Sequence, residues 1–215
     1  YLTKTESVPT AVLPSSNTGV LRTLTALIPE LIPVASVLHS GFGDASGLVE
    51  VVGLTLGGLA LQDGQASLPA GAESLEERYV FRTLLGERHN RIVSTLAVER
   101  RTVATRWGVR NLPSTGEWLD QFAGTINGNT VRPVPDKIQA DNMIRCATMG
   151  SLVPLQSAAQ LAGIPVPATS AMIELAHQSI GGDLLHAGRR LDSMGFAYAD
   201  LDNIRTQLDT MTVAT

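Results

Sequence analysis

The side chains able to move a proton or hold an anion are few in this sequence, and each has a plainer reading beside the chemical one. Glu50 stands in a mainly apolar run from Ala35 to Leu61. Burial there would raise a carboxyl's pKa and ready it to pass a proton. The plainer reading is a carboxylate that stays partly exposed or pairs with an arginine, since an unpaired buried charge is costly. His39 and Asp44 lie about one helical turn apart or slightly more, so a helix through them brings them near enough to interact. A histidine at a helix start is more often simply solvated. The run Glu87-Arg-His-Asn-Arg91 sets His89 among charges. Arg88 or Arg91 could clamp a carboxylate with His89 as donor or acid, and a solvated helix face explains the same run more simply. His177 follows Ile173 on an apolar helix and reads as packed or solvated. Cys146 needs a thiolate-stabilising neighbour to be a nucleophile and otherwise reads as a small buried residue.

The elements that must position these residues are mostly helical. Pro9-Thr-Ala-Val-Leu-Pro14 is a short β-prone run, and Asn17-Thr18 caps a helix through Val20, Leu21, Leu24, Leu27 and Ile28. Pro29 and Pro33 break that pattern, and the glycine-rich segment to Leu61 follows. It reads as a long buried helix whose glycines admit a close neighbour, although periodicity alone leaves strand open. After a loop from Gln62 to Gly71, a helix opening on Glu73, Glu76 and Glu77 extends to about Trp107, with Ile92, Leu96, Val103 and Trp107 as its buried stripe. Ser114 or Thr115 caps a short helix through Trp118 and Phe122, and Gly124 to Lys137 reads as a mobile loop. Further helices are expected at 153–161, 169–179, 183–194 and 200–211, with Gly163, Gly181-Gly182 and Gly195 as stops.

Composition narrows the function classes. The chain has 215 residues, 44% hydrophobic and 17% charged, enough for one good core. A formal net charge of −4, with no basic cluster beyond Arg100-Arg101 and Arg189-Arg190, points to neither nucleic acid nor an anionic membrane as partner. The single cysteine excludes an internal disulfide and a cysteine zinc site and fits a reducing, cytoplasmic setting. No secretory signal is read at the start, and the apolar run is too interrupted by Asp44, Glu50 and glycines for a membrane span. Tyr1 is not an initiator methionine, which leads to the expectation of an upstream part.

Three stretches together carry a family resemblance: Gly150-Ser-Leu-Val-Pro-Leu155 with Leu161-Ala-Gly-Ile-Pro-Val-Pro167, Met172-Ile-Glu-Leu175, and Gly188-Arg-Arg-Leu-Asp-Ser-Met-Gly195. Glu99-Arg100, Trp107-Gly-Val109, Pro113 and Glu117-Trp118-Leu119 add to them. The pattern resembles the helical C-terminal domain of opine dehydrogenases of the octopine and nopaline type. The resemblance implies a mainly α fold: a compact helical substrate, catalytic and dimerisation domain over 34–215, preceded by 1–33 as a strand-and-helix remnant of a Rossmann domain. It also implies NAD or NADP, held by a dinucleotide-binding domain that this chain lacks, and a small-molecule substrate. A homodimer fits the same pattern.

The family's acid–base histidine, in a His-Pro pair, aligns with Glu50 followed by Val51, and its asparagine positions fall near Asp44 and Ser46. The acidic residue that orients that histidine aligns with Ala147. A histidine–carboxylate pair works as a unit, so losing both partners weighs more than losing one. By the same alignment Arg145 stands beside the site motif as a substrate clamp, and His186 with Arg189 and Arg190 falls in an architectural Gly-Arg motif. Gly41-Phe-Gly43-Asp-Ala-Ser-Gly47 superficially resembles a dinucleotide turn, but it lacks the surrounding strand–helix–strand unit and its later acidic residue. The expected cofactor-binding set in this chain is therefore empty, as is the metal-binding set. Three readings remain: an opine dehydrogenase-like reductase of an imine or ketone derived from an amino acid or 2-keto acid, with Glu50 in the histidine's place; a true opine-forming enzyme using His39 or His89; and a non-catalytic helical module for dimerisation or partner binding.

Overall fold

Proline and glycine placement divides the chain into a small parallel β–α–β unit followed by a helical body. The structure, a computed structural model, describes residues 8–62, 87–117, 137–196 and 200–210. Strand β1, Val8–Thr10, pairs in parallel with β2, Leu31–Pro33, in the register Val8 to Leu31 and Thr10 to Pro33. Pro9 and Pro33 have no N–H to give, which keeps the ladder short. Helix α1, Thr18–Leu27, crosses between the strands, and none of its residues is buried. The strand is thus shorter than the β-prone Pro9 to Pro14 run, and a second strand lies after Pro29 and ends on Pro33, where the sequence pattern shows only helix breakers. Asn17 stands at the N-cap of α1, but its side chain makes no capping hydrogen bond.

The 35–61 segment is two helices. Helix α2, Val37–Gly43, starts at Ser36, whose Oγ accepts the His39 N–H at 3.3 Å. Asp44 is extended and its Oδ1 accepts the Ser46 N–H at 2.8 Å, which starts helix α3, Ser46–Gln62, on a new axis. A short polar side chain competing for backbone N–H groups, next to glycines of low helix propensity, explains the break. His39 thus lies in the first turn of α2 and Asp44 at its C-cap, ahead of the break. Along α3, Leu48, Val49, Val51, Val52 and Leu54 are all essentially buried. A helix apolar on all sides belongs inside the body, as expected for this run. Gly47 makes that possible: a Cβ there would collide with the Ser151 side chain.

Helix α4, Glu87–Arg106, buries Val93, Leu96, Ala97, Arg100, Val103 and Ala104 at helical spacing, and buried Trp107 continues the stripe. The part of this helix expected before Glu87 lies outside the described residues, as do Trp118, Phe122 and the Gly124 to Asp136 part of the expected loop. A capping box opens the next helical turn, with the Ser114 N–H to Glu117 Oε2 at 2.7 Å and the Glu117 N–H to Ser114 Oγ at 3.1 Å.

Helix α5, Lys137–Ala147, was not expected from the sequence. Its buried face is Ala140, Ile144 and Ala147, so small residues carry the stripe, while the bulky Ile138 is 74% exposed. A π-helical turn, Thr148–Leu152, joins α5 to helix α6, Val153–Ala162. Pro154 has no N–H for the Gly150 carbonyl, and the wider turn relieves that misfit. Helix α7, Pro167–Ile180, follows. The expected helix over 183–194 is only α8, Leu184–Ala187; the chain is extended at Gly188 and forms a kinked turn over Asp192–Phe196. The Arg189 N–H donates to the Met149 carbonyl and the Leu191 N–H to Ser157 Oγ, both at 3.0 Å, so this stretch is spent tying the chain to the π-turn and α6. Helix α9, Leu201–Thr210, closes the fold.

Two apolar clusters result. One joins α3, α4, α5 and α7; the other joins Val103 and Trp107 with Leu155, Ala159, Leu201 and Ile204. Among the described residues no helix is long and apolar enough to cross a membrane.

Candidate functional site

A cleft of about 140 Å³ opens where the β–α–β unit meets the helical body. Leu13, Val37, His39, Trp107, Gly108 and Arg205 are among the residues that line it. The local folding is over-determined. Ser40 Oγ donates to the Pro9 carbonyl at 3.1 Å and the Val34 N–H to the Thr10 carbonyl at 2.9 Å, so α2 is fixed to β1. Trp107 Nε1 donates to the Ala158 carbonyl at 3.1 Å, which satisfies the indole's donor inside the core. Gly108 has φ +84°, a conformation that favours glycine, and a Cβ there would lie 2.8 Å from Arg205 Nη2. The guanidinium of Arg205 thus rests on bare backbone.

Of the residues singled out from the sequence, His39 lines this cleft. Asp44 sits at the C-terminal end of α2, Ser46 opens α3, and Glu50 is half-buried one turn further along α3. None of these three is among the cleft's lining residues. Arg145, in the last turn of α5, packs its Nη1 against Gly182 at the end of α7, where helix carbonyls point outward. His89 and Arg91 are in the first turns of α4, and Arg91 pairs with Glu87 at 2.6 Å across an exposed face. That exposed ion pair is the arrangement of the plainer, solvated-face reading of the run. Cys146 is exposed, against the expectation of a buried residue. His186 Nδ1 lies 2.6 Å from Asp183 Oδ2 on the surface.

The Glu99-Arg100 pair has a structural role in both members. Glu99 accepts the Ala168 and Thr169 N–H groups, each at 2.8 Å, and the Thr169 hydroxyl at 2.7 Å, so it caps α7 from another helix. Arg100 is 2% exposed and donates to the Phe42 carbonyl at 2.9 Å and to the Pro113 carbonyl at 3.1 Å. Burial, and then the charge of Arg101, holds its guanidinium below the ordinary arginine value, against the opposing influence of Asp44. Arg100 therefore fixes the end of α2, the element that presents His39.

Sequence reasoning passed over Arg205 and Gly108 as site residues. Leu201, Ile204 and Leu208 recur at helical spacing, which places Arg205 at the border of a buried stripe, and that was the available signal. The Gly41 to Gly47 run does not fit a pyrophosphate: Gly41 and Gly43 lie within α2, and Gly47 is covered by Ser151. Among the described residues no group of three His, Cys, Asp or Glu is placed to hold a metal ion.

Fold and cleft together define a helical body carried behind a parallel β–α–β unit, with the candidate site at their junction. A scan against protein-family models finds no match to the chain, and a search of curated proteins finds none. The opine dehydrogenase resemblance rests on the motifs quoted above.

Proposed function

We propose that the chain is the substrate-binding half of an NAD(P)-dependent oxidoreductase similar to the opine dehydrogenases, reducing an imine or ketone derived from an amino acid or 2-keto acid. The observation that carries this reading is the β1–α1–β2 unit. Its strands are parallel and pair only with each other among the described residues. Val8, Val20, Leu27, Ile28 and Ile32 are all exposed, Leu27 at 74%. Parallel strands are ordinarily covered on both faces and continued by further strands, so this unit has the form of the edge of a larger parallel sheet. A dinucleotide-binding domain, in the same chain or another, supplies that sheet and holds NAD or NADP.

Reduction of a C=N or C=O bond also takes a proton, and among the expected catalytic residues His39 is the best placed to supply it. An imidazole exchanges protons near neutral pH, and this one stands in a cleft beside the β–α–β unit. Glu50 keeps the position that the family resemblance assigns to the acid–base group, but its place along α3 is outside the cleft wall. The reading is tested by titrating NADH and NADPH, followed by nicotinamide fluorescence, against the product of the complete reading frame and against the 215-residue chain. The complete product should bind one of them at micromolar concentration and the chain alone neither. Tight binding by the chain alone, or by neither protein, refutes the reading, and the second result favours a non-catalytic docking module.

A further inference from the structure

We infer that the cleft is a binding site for a short organic acid, with Arg205 as the residue that selects its carboxylate. The wall has a divided character: Leu13, Val37, Leu38, Val109 and Leu208 are apolar, Arg205 and His39 bring the positive and titratable groups, and among the described residues no acidic one lines it. A guanidinium in an acid-free, half-apolar cleft favours a planar carboxylate carried on a small apolar body. Inorganic phosphate, more highly charged and more strongly hydrated, gains nothing from the apolar side.

Arg205 is available for this role and pre-positioned for it. Among the described residues it pairs with Asp202 Oδ1 at 3.6 Å, and that side chain is 86% exposed, so the pair is weak and readily exchanged for a ligand. The guanidinium lies against Gly108, where any larger residue would displace it. Less side-chain freedom is lost on binding when the fork is already held in place. The space, about 140 Å³, suits a molecule of a few heavy atoms rather than a peptide or a dinucleotide. In the reductase this site would anchor the substrate, yet it requires neither cofactor nor turnover, so it stands or fails separately from the proposal above.

The test is calorimetric titration of the 215-residue chain with butyrate, butyramide and inorganic phosphate, each repeated on Arg205→Gln and Gly108→Ala. Circular dichroism confirms that each variant is folded. Butyrate should saturate one site within about 10 mM, butyramide and phosphate should bind at least tenfold more weakly, and Arg205→Gln should lose at least tenfold for butyrate. Gly108→Ala should weaken butyrate several-fold by displacing the guanidinium. No saturable butyrate binding, phosphate or butyramide binding equal to butyrate, or an Arg205→Gln affinity equal to wild type each overturns the inference. A Gly108→Ala affinity equal to wild type overturns the pre-positioning of Arg205. Should a variant fail to fold, Arg205→Lys serves instead, with a several-fold loss expected from the missing planar fork and an unchanged affinity counting against the site.

Discussion

Removing the Glu99 carboxylate should destabilise the whole helical body. Helix α7 begins at Pro167, and Val166 before it offers no side-chain cap. Its first donors go instead to Glu99 of α4, with two N–H groups at 2.8 Å and the Thr169 hydroxyl at 2.7 Å. Thr169 is completely buried, so water cannot replace the lost acceptor there. Leaving a buried donor unsatisfied costs about 1–3 kcal/mol, and losing a helix cap costs about 1 kcal/mol, so Glu99→Ala should cost about 3 kcal/mol in total. For a chain of this size that lowers Tm by about 6–12 °C. Urea denaturation followed by circular dichroism reads the loss directly. Glu99→Gln keeps one acceptor and should cost roughly half as much. Thr169→Ala made in the Glu99→Ala background should cost about 1 kcal/mol less than in wild type, because the two side chains are coupled. A loss below about 0.5 kcal/mol for Glu99→Ala would show that α7 is capped by something else and would refute the reasoning.

Two further outcomes follow from local geometry. Gly47→Val should destabilise by about 1–3 kcal/mol despite the higher helix propensity of valine, because the added atoms meet Ser151 and α3 must move off the π-turn; an unchanged denaturation midpoint would mean that the two elements separate freely. The Glu117 carboxyl is held below the usual glutamate range, first by the Ser114 N–H and then by the Ser114 hydroxyl. A depressed carboxyl pKa contributes stability above its ordinary value, and that contribution is lost as pH falls through the folded value. Ser114→Ala should therefore return the Glu117 carboxyl toward the ordinary range in a carbon-13 NMR titration, and the stability gap between variant and wild type at pH 7 should narrow below about pH 4. An unchanged titration midpoint would mean that the Ser114 N–H alone holds the carboxyl down.

Legibility in the sequence followed the strength of the local signal. The α3 run is apolar on every side, and the stripe of Leu96, Val103 and Trp107 recurs at helical spacing, so both were readable as buried helices. The Ser114 to Glu117 capping box was half-readable, since the serine was marked and its acidic partner was not. Helix α5 was missed because alanines carry its core face and an exposed Ile138 points the other way. The break at Asp44 and the loss of helix after Ala187 depend on backbone competition and on ties to Ser157 and Met149, which no local pattern announces.

The site was less legible than the fold. His39 was marked, but the cleft around it joins residues from β1's exit, α2, the end of α4 and α9, and only the fold brings those together. Several motif residues that prompted the family comparison have architectural roles here. Glu99 caps α7, Arg100 ties α2 to Pro113, and Trp107 bonds the Ala158 carbonyl. Packing leaves a stronger trace in sequence than chemistry does, since many positions share in it.

On the proposed reading this chain is the substrate half of a reductase with His39 as its proton donor. The measurement that tests it most directly is NADH and NADPH oxidation by the product of the complete reading frame, over a panel of 2-keto acids with and without amino acids, for wild type, His39→Asn and Glu50→Gln. Turnover is expected with at least one substrate pair, with a fall of about two to four powers of ten in His39→Asn and a much smaller change in Glu50→Gln. Turnover that survives His39→Asn unchanged, a loss confined to Glu50→Gln, or no oxidation with any substrate would contradict it.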